Sequence, residues 1–281
     1  MGRYPIHFHM TGNCIGSYLE GVAIHHAFNR CTTFHGVHYL TIKKGVYYKN
    51  LGHCIFVEDS IESRNVVEDT LVMRTNISSS LLMSDLKAAQ FWITRPLNYF
   101  MRNHAVGSEK FGFWYDLPGN PTGPSATNSI CPVGERLGKF EDNVSHGHGI
   151  GLRIYPQYKP LTNPCGPLKN YNKLNILEDN TPLKPVFKNI LLYGNSTGFF
   201  GRNVGSIVLE NFANISNSLG FTFMEPEFEI YEYYPHLKDS IVVDVSGYTN
   251  EMGMSSHIFL DSSKKHGVKV SNVKLINFNN K

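Results

Sequence analysis

Charge is scarce in this sequence: Asp, Glu, Lys and Arg make up 17% of its 281 residues, against 41% hydrophobic. That balance excludes a disordered chain and supplies enough apolar material for a core. Basic runs are missing too. The formal net charge is +3, from 26 basic and 23 acidic residues scattered along the chain. The electrostatic footprint of a nucleic-acid binder is therefore absent, and only a weak attraction to polyanionic glycans remains. No stretch of about 18 uninterrupted apolar residues occurs, and Met1-Gly2-Arg3-Tyr4-Pro5 opens no signal-peptide core, so membrane attachment is expected only through an anchor that this sequence lacks. The leucine-rich strand motif is absent as well, which removes the leucine-rich solenoids. Cysteine is sparse and odd in number, with Cys14, Cys31, Cys54, Cys131 and Cys165, so at least one has no partner within the chain.

What is abundant is aromatic and glycine. The 18 Phe, 15 Tyr and 25 Gly are dispersed, which suits short strands joined by tight turns and disfavours a helical bundle. An Asn is followed nine residues later by Gly and an aromatic in Asn103 to Gly112-Phe113, Asn189 to Gly198-Phe199 and Asn211 to Gly220-Phe221, and the last two units lie 22 residues apart. A looser copy runs from Asn143 to Gly151-Leu152. Periods in the low twenties mark a solenoid, and β-branched runs such as Ser206-Ile207-Val208-Leu209-Glu210 have strand length. One coil cannot bury its own apolar face, whereas stacked coils share a core, and parallel connections favour right-handed winding.

The expected fold is therefore all-β: a right-handed parallel β-helix of about 22-residue coils, forming one elongated domain over residues 1–281. Two regions break the period, 117–137 with Pro118, Pro121, Pro124 and Pro132, and 156–185, and both read as loop insertions that could roof a groove. A Cys131–Cys165 disulfide would pin one to the other. Cys31 and Cys54 stand one coil apart, which suits either a disulfide or stacked buried thiols, and buried thiols are the favoured expectation. Sequons at Asn76, Asn143, Asn195 and Asn214 permit N-glycosylation.

Seven of the 13 histidines fall within the first 53 residues. In a strand His7 and His9 point to one side, so they could share a divalent metal with a third donor from the next coil, His53 or His35, with His53 carried into the expected set of His7, His9 and His53. The plainer reading is imidazoles stacked along one solenoid face. Glu58 and Asp59, near Glu62 and Arg64, form an acidic patch of the kind glycan hydrolysis needs, one carboxyl donating a proton while another activates water or attacks. Capping of a turn is the plainer role. Trp92 and Trp114 offer flat faces for sugar rings, with Arg64 beside the acidic patch as a further ligand contact. Alternation should bury Phe113 and Tyr115, or else Trp114, leaving at least one ring at the surface.

These residues carry a resemblance. Tyr4-Pro5-Ile6-His7-Phe8-His9, Ile24-His25-His26 and Gly52-His53-Cys54-Ile55-Phe56-Val57-Glu58-Asp59 resemble the β-helical region of the fibrocystin-like and cell-surface hyaluronan-binding family, whose members have a G8 domain upstream. The likeness continues through Phe91-Trp92-Ile93-Thr94, Gly112-Phe113-Trp114-Tyr115 and Leu137-Gly138-Lys139-Phe140 to Cys165. Its detail around Phe91 to Tyr115 and Ile130-Cys131-Pro132 resembles the fibrocystin-like branch. The resemblance implies an extracellular or cell-surface module, a piece of a larger protein, that binds a glycan such as hyaluronan or an extracellular protein. The alternative it implies is a hyaluronidase-like enzyme acting through Glu58, Asp59 and a metal. Ser60 stands where relatives carry Gly, which puts an identical turn in question.

Overall fold

A computed structural model describes residues 4–79, 84–167, 180–224, 233–244, 258–260 and 267–277. It is a parallel β-helix. One sheet stacks nine parallel strands, one per coil: Ile6–Asn13, Thr32–His38, Ile55–Val57, Ala89–Ile93, Phe111–Tyr115, Ile150–Ile154, Thr197–Arg202, Leu219–Met224 and Ile258–Leu260. The second sheet takes two short strands per coil, such as Tyr99–Met101 and His104–Val106, and in two coils these fuse into single strands, Val186–Tyr193 and Val208–Ile215. Each coil thus contributes the three segments that the repeat implies.

The bend between those two short strands is a left-handed residue repeated up the stack: Lys44, Asp69, Arg102, Asp142, Asn189, Asn211, Asp239 and Asn272 all have positive φ. Asn and Asp tolerate that backbone best, and most of the row is of that type. The residue that follows points inward. Asn143 Oδ1 accepts the Asn103 N–H at 2.9 Å, and Asn103 Oδ1 accepts that of Thr70 at 3.2 Å, an internal ladder that satisfies backbone groups no strand partner reaches. The repeat had merged two rows: Asn103 belongs to the inward ladder, whereas Asn189 and Asn211 sit one position earlier, at the left-handed bend. The glycines of the same motif do align. Gly112, Gly151, Gly198 and Gly220 stack in register with the inward aromatics Phe113, Phe199 and Phe221, because a Cβ on Gly112 would lie 2.2 Å from Ser145 Oγ.

A single apolar core runs along the axis from Phe34 through Phe91, Phe113, Phe140, Phe187 and Phe199 to Phe223. The ladder also settles the sequons. Asn143, Asn195 and Asn214 are buried, their amides spent inside the stack, and only Asn76 is partly exposed.

Two disulfides are present. Cys131 and Cys165 are bonded with Cα atoms 5.2 Å apart. Cys31 and Cys54 are also bonded, with Cα atoms 4.5 Å apart, which corrects the expectation of buried thiols: the spacing of neighbouring coils serves both states, so spacing could not choose between them. Cys14 is free. The stretch 117–137 leaves the coil after Phe111–Tyr115 and holds two short 3-10 turns, Gly123–Ser125 and Pro132–Gly134. It packs on the described part of 156–185 through Lys159 N to Val133 O at 2.8 Å and Leu161 N to Gly134 O at 2.9 Å. It is tied back to the stack by a fork of Arg95 on Glu135 at 2.7 and 2.6 Å.

Candidate functional site

Alternation along the nine-stranded sheet sends every second side chain outward. In register, one outward row reads His7, Thr33, Phe56, Trp92, Trp114, Arg153, Phe200. The row beside it begins with His9, His35 and Glu58 and continues through Thr94, Asp116 and Tyr155. The candidate site is this face, and it has two parts.

The first part belongs to the first three coils. His9 and His35 are paired across the strands, and their Nδ1 atoms lie 3.0 Å apart. His7, His9 and His35 place ring nitrogens within 4.8 Å of one another. Glu58 comes up from the next coil, with Oε2 3.5 Å from His35 Nδ1 and 3.8 Å from His7 Nε2. Asp59 takes the far side of His35, its Oδ2 3.0 Å from Nε2. It is 5% exposed, roofed by the first insertion, where Thr122 N donates to its backbone oxygen at 3.2 Å. Burial lowers the proton affinity of His7, and His9, His35 and Arg30 add to that. Burial raises the Glu58 carboxyl, with His35 and Arg30 opposing the rise. Burial likewise raises Glu62, which accepts the Gly36 and Asp59 N–H groups at 2.8 and 3.2 Å.

Arg30 closes the floor. Its guanidinium lies 3.5 Å over the Phe56 ring, donates to Tyr4 Oη at 2.7 Å and to Asp85 at 3.3 and 3.4 Å, and its Nη1 is 3.8 Å from Glu58 Oε1. His53 is not part of this group, and the structure replaces it with His35. The His53 ring stacks on Trp92 at 4.7 Å, its Nδ1 accepts the Ala89 N–H at 3.0 Å, and the His53 backbone N–H donates to Asp85 Oδ1 at 2.8 Å. It precedes its strand, so its ring lies between coils rather than on the His9–His35 row. Arg64 lies elsewhere, on an exposed turn, where it donates to the Tyr39 hydroxyl.

The second part belongs to the next three coils. Trp92 donates Nε1–H to Asp116 Oδ2 at 3.2 Å and stacks on Phe56. Trp114 is 7% exposed although it points outward, while Phe113 and Tyr115 are 0% exposed. All three rings are therefore covered, against the expectation that one would be at the surface. The outward ring is sheltered by its neighbours: Phe111 meets it edge-on and the Arg153 guanidinium lies 4.6 Å over it. Arg153 is also 4.6 Å from Phe111 and 4.2 Å from Tyr155, and its Nε and Nη1 have no hydrogen-bond partner. Sequence reading passed it over. The signal was a lone cation at an alternate position of the apolar strand Ile150–Ile154.

Residues 1–152 match the CEMIP β-helix domain family. The chain belongs to this family. Fibrocystin-L of Mus musculus is 34% identical over 221 residues, which cover 78% of this chain and 5% of that protein. Human cell surface hyaluronidase CEMIP2 is 31% identical over 268 residues, covering 79% of this chain and 19% of the relative. Human cell migration-inducing and hyaluronan-binding protein is 29% identical over 307 residues, covering 92% and 22%. The chain thus spans a small part of the relatives it matches. The CEMIP β-helix match contains the whole His7–His9–His35–Glu58 group and Trp92 and Trp114, and it ends one residue before Arg153. The relatives include named cell-surface proteins, and among the described residues no helix is long and apolar enough to cross a membrane.

Proposed function

We propose that this chain is an extracellular β-helix module that binds an acidic glycan of the hyaluronan kind on the outer face of its nine-stranded sheet. The observation that carries the reading is Arg153: a guanidinium held among Phe111, Trp114 and Tyr155 with two N–H-bearing nitrogens unpartnered. Leaving such donors unmet costs about 1–3 kcal/mol, more for a charged group. A guanidinium with unmet donors matches the charge of a sugar carboxylate, and the half-buried rings of Trp92 and Tyr155 give apolar faces on which pyranose rings pack. Among the described residues, Asp116 is the carboxyl that acts on Arg153, and burial raises its pKa above the ordinary value, which weakens its hold as a counter-ion. The hyaluronan named in the human relatives supports this class of ligand.

The test is calorimetric titration of the chain with hyaluronan oligosaccharides and with a neutral chitin oligosaccharide of equal length. Binding of the acidic sugar alone, weakened at least about tenfold in Arg153→Ala and in Arg153→Lys, is the expected result, since loss of one charged contact costs about 1.5–3 kcal/mol. Equal affinity for the neutral sugar, or an unaffected Arg153→Ala, would overturn the reading. Shortening of the hyaluronan during the titration would replace binding by hydrolysis as the activity.

A further inference from the structure

The histidine group supports a second site, resting on different residues from the glycan reading. Asp59 fixes the starting point. A carboxylate oxygen can only accept, so His35 Nε2, 3.0 Å from Asp59 Oδ2, carries the ring proton. In the neutral ring His35 Nδ1 then presents a lone pair. That lone pair faces His9 Nδ1 at 3.0 Å and Glu58 Oε2 at 3.5 Å. Two acceptors pointed at one another repel unless a positive centre lies between them. A single N–H on His9 answers one contact. It leaves Glu58 Oε2 and His7 Nε2, 3.8 Å apart, both buried and both without a hydrogen-bond partner.

We propose that His7, His9, His35 and Glu58 bind one divalent transition-metal ion, with Asp59 holding His35 in the ligating tautomer. Bonds of about 2.0–2.2 Å from a central ion put neighbouring donors about 2.8–3.6 Å apart. The contacts of 3.0 and 3.5 Å fall within that spacing and the one of 3.8 Å lies just above it. Three imidazoles and a carboxylate suit zinc and its first-row neighbours and ill suit magnesium or calcium, which prefer an all-oxygen shell. A carboxylate behind a ligating histidine is the usual outer support of such a site, and Asp59 has that position. Arg30 lies against the other Glu58 oxygen, 3.8 Å from Oε1, which leaves Oε2 to turn toward the ion. The four donors come from three consecutive coils, so the ion would staple strands Ile6–Asn13 and Thr32–His38 to the turn after Ile55–Val57.

The experiment equilibrates the untagged chain with buffered free zinc, measures bound metal by elemental analysis, and repeats the titration with cobalt, whose visible absorption reports its ligand shell. One zinc per chain is expected. His9→Ala, His35→Ala and Glu58→Gln should weaken retention by more than the about 10–100-fold expected for Asp59→Asn, which keeps every ligand and removes only the support. His25→Ala/His26→Ala is the control: that exposed pair also has ring nitrogens 3.0 Å apart but lacks the carboxylate, and its loss should change nothing. His9 is exposed, so its variant folds even where His35→Ala does not, and circular dichroism checks both. No zinc retained at micromolar free metal, or equal retention in His9→Ala and the unaltered chain, would overturn the site and leave the histidines as a proton-sharing cluster.

Discussion

Along one outer face, the first three coils present His7, His9, His35 and Glu58, and the next three present Trp92, Trp114, Tyr155 and Arg153. The backbone beneath is the same: parallel strands in register, about 4.8 Å apart, with alternate side chains outward. The unmet chemistry is opposite. The first group leaves an imidazole nitrogen and a carboxylate oxygen unpartnered, at His7 Nε2 and Glu58 Oε2, whereas the second leaves cationic N–H donors unpartnered, at Arg153 Nε and Nη1. A solenoid supplies identical slots, and what occupies each slot decides whether that stretch calls for a cation or an anion. Each group also holds an arginine, buried at Arg30 and half-buried at Arg153. Arg30 is satisfied by Tyr4 and Asp85, while Arg153 is wrapped in rings with its donors unmet.

The largest expected break of this comparison comes from Arg30. Arg30→Met would take the guanidinium from fully buried Asp85, which keeps the His53 backbone N–H, and removing one partner of a buried pair costs about 3–5 kcal/mol. Urea denaturation should show that loss, with the first coils opening first by hydrogen exchange. Arg153→Leu should go the other way. It removes unmet donors and keeps packing against Phe111 and Tyr155, so stability should hold or rise by about 1 kcal/mol while affinity for the acidic sugar disappears. A stability loss like that of Arg30→Met would mean that Arg153 is structural.

Acid separates the regions as well. His148 occupies a rung of the inner ladder in the central coils: its Nδ1 accepts the Ser108 N–H at 2.9 Å, and its backbone N–H donates to Asn195 Oδ1 at 3.0 Å. Burial lowers its pKa to about 4. The unfolded chain therefore binds a proton that the folded chain refuses, so stability is complete above about pH 6.5 and falls between there and pH 4. The full loss is about 3 kcal/mol at about 1.4 kcal/mol per unit. His148→Asn keeps the rung and should flatten this dependence in urea midpoints measured from pH 7 to pH 4.

The architecture was readable because its cause is local and repeated. Gly112, Gly151 and Gly198 are forced by close approach, and the bends at Asn189 and Asn211 need left-handed backbone. Both constraints recur once per coil and show as a period. Partners across coils were less readable. His9 meets His35 because the first coil is longer than the repeat and its strand carries an irregularity between His9 and Gly12. A period of about 22 cannot count through that, and it left His53 and His35 as rivals. Arg153 escaped notice for a different reason: one arginine in a strand looks like any exposed cation until the register sets it beside Trp114 and Tyr155.

The smallest effect sharpens the same contrast at the turn joining the histidine group to its support. Ser60 has φ of +74° and is buried, directly after Asp59. A non-glycine residue pays about 1–2 kcal/mol for left-handed backbone, and glycine recovers part of that while adding freedom to the unfolded chain. Ser60→Gly should therefore raise stability by about 0.5–1 kcal/mol in thermal or urea melts, and it should leave zinc retention unchanged, because Asp59 keeps its place against His35. A destabilised Ser60→Gly would show that the serine side chain, rather than the backbone it tolerates, holds the turn. Weaker zinc retention without that loss would show that the stiffness of this turn sets the position of Asp59.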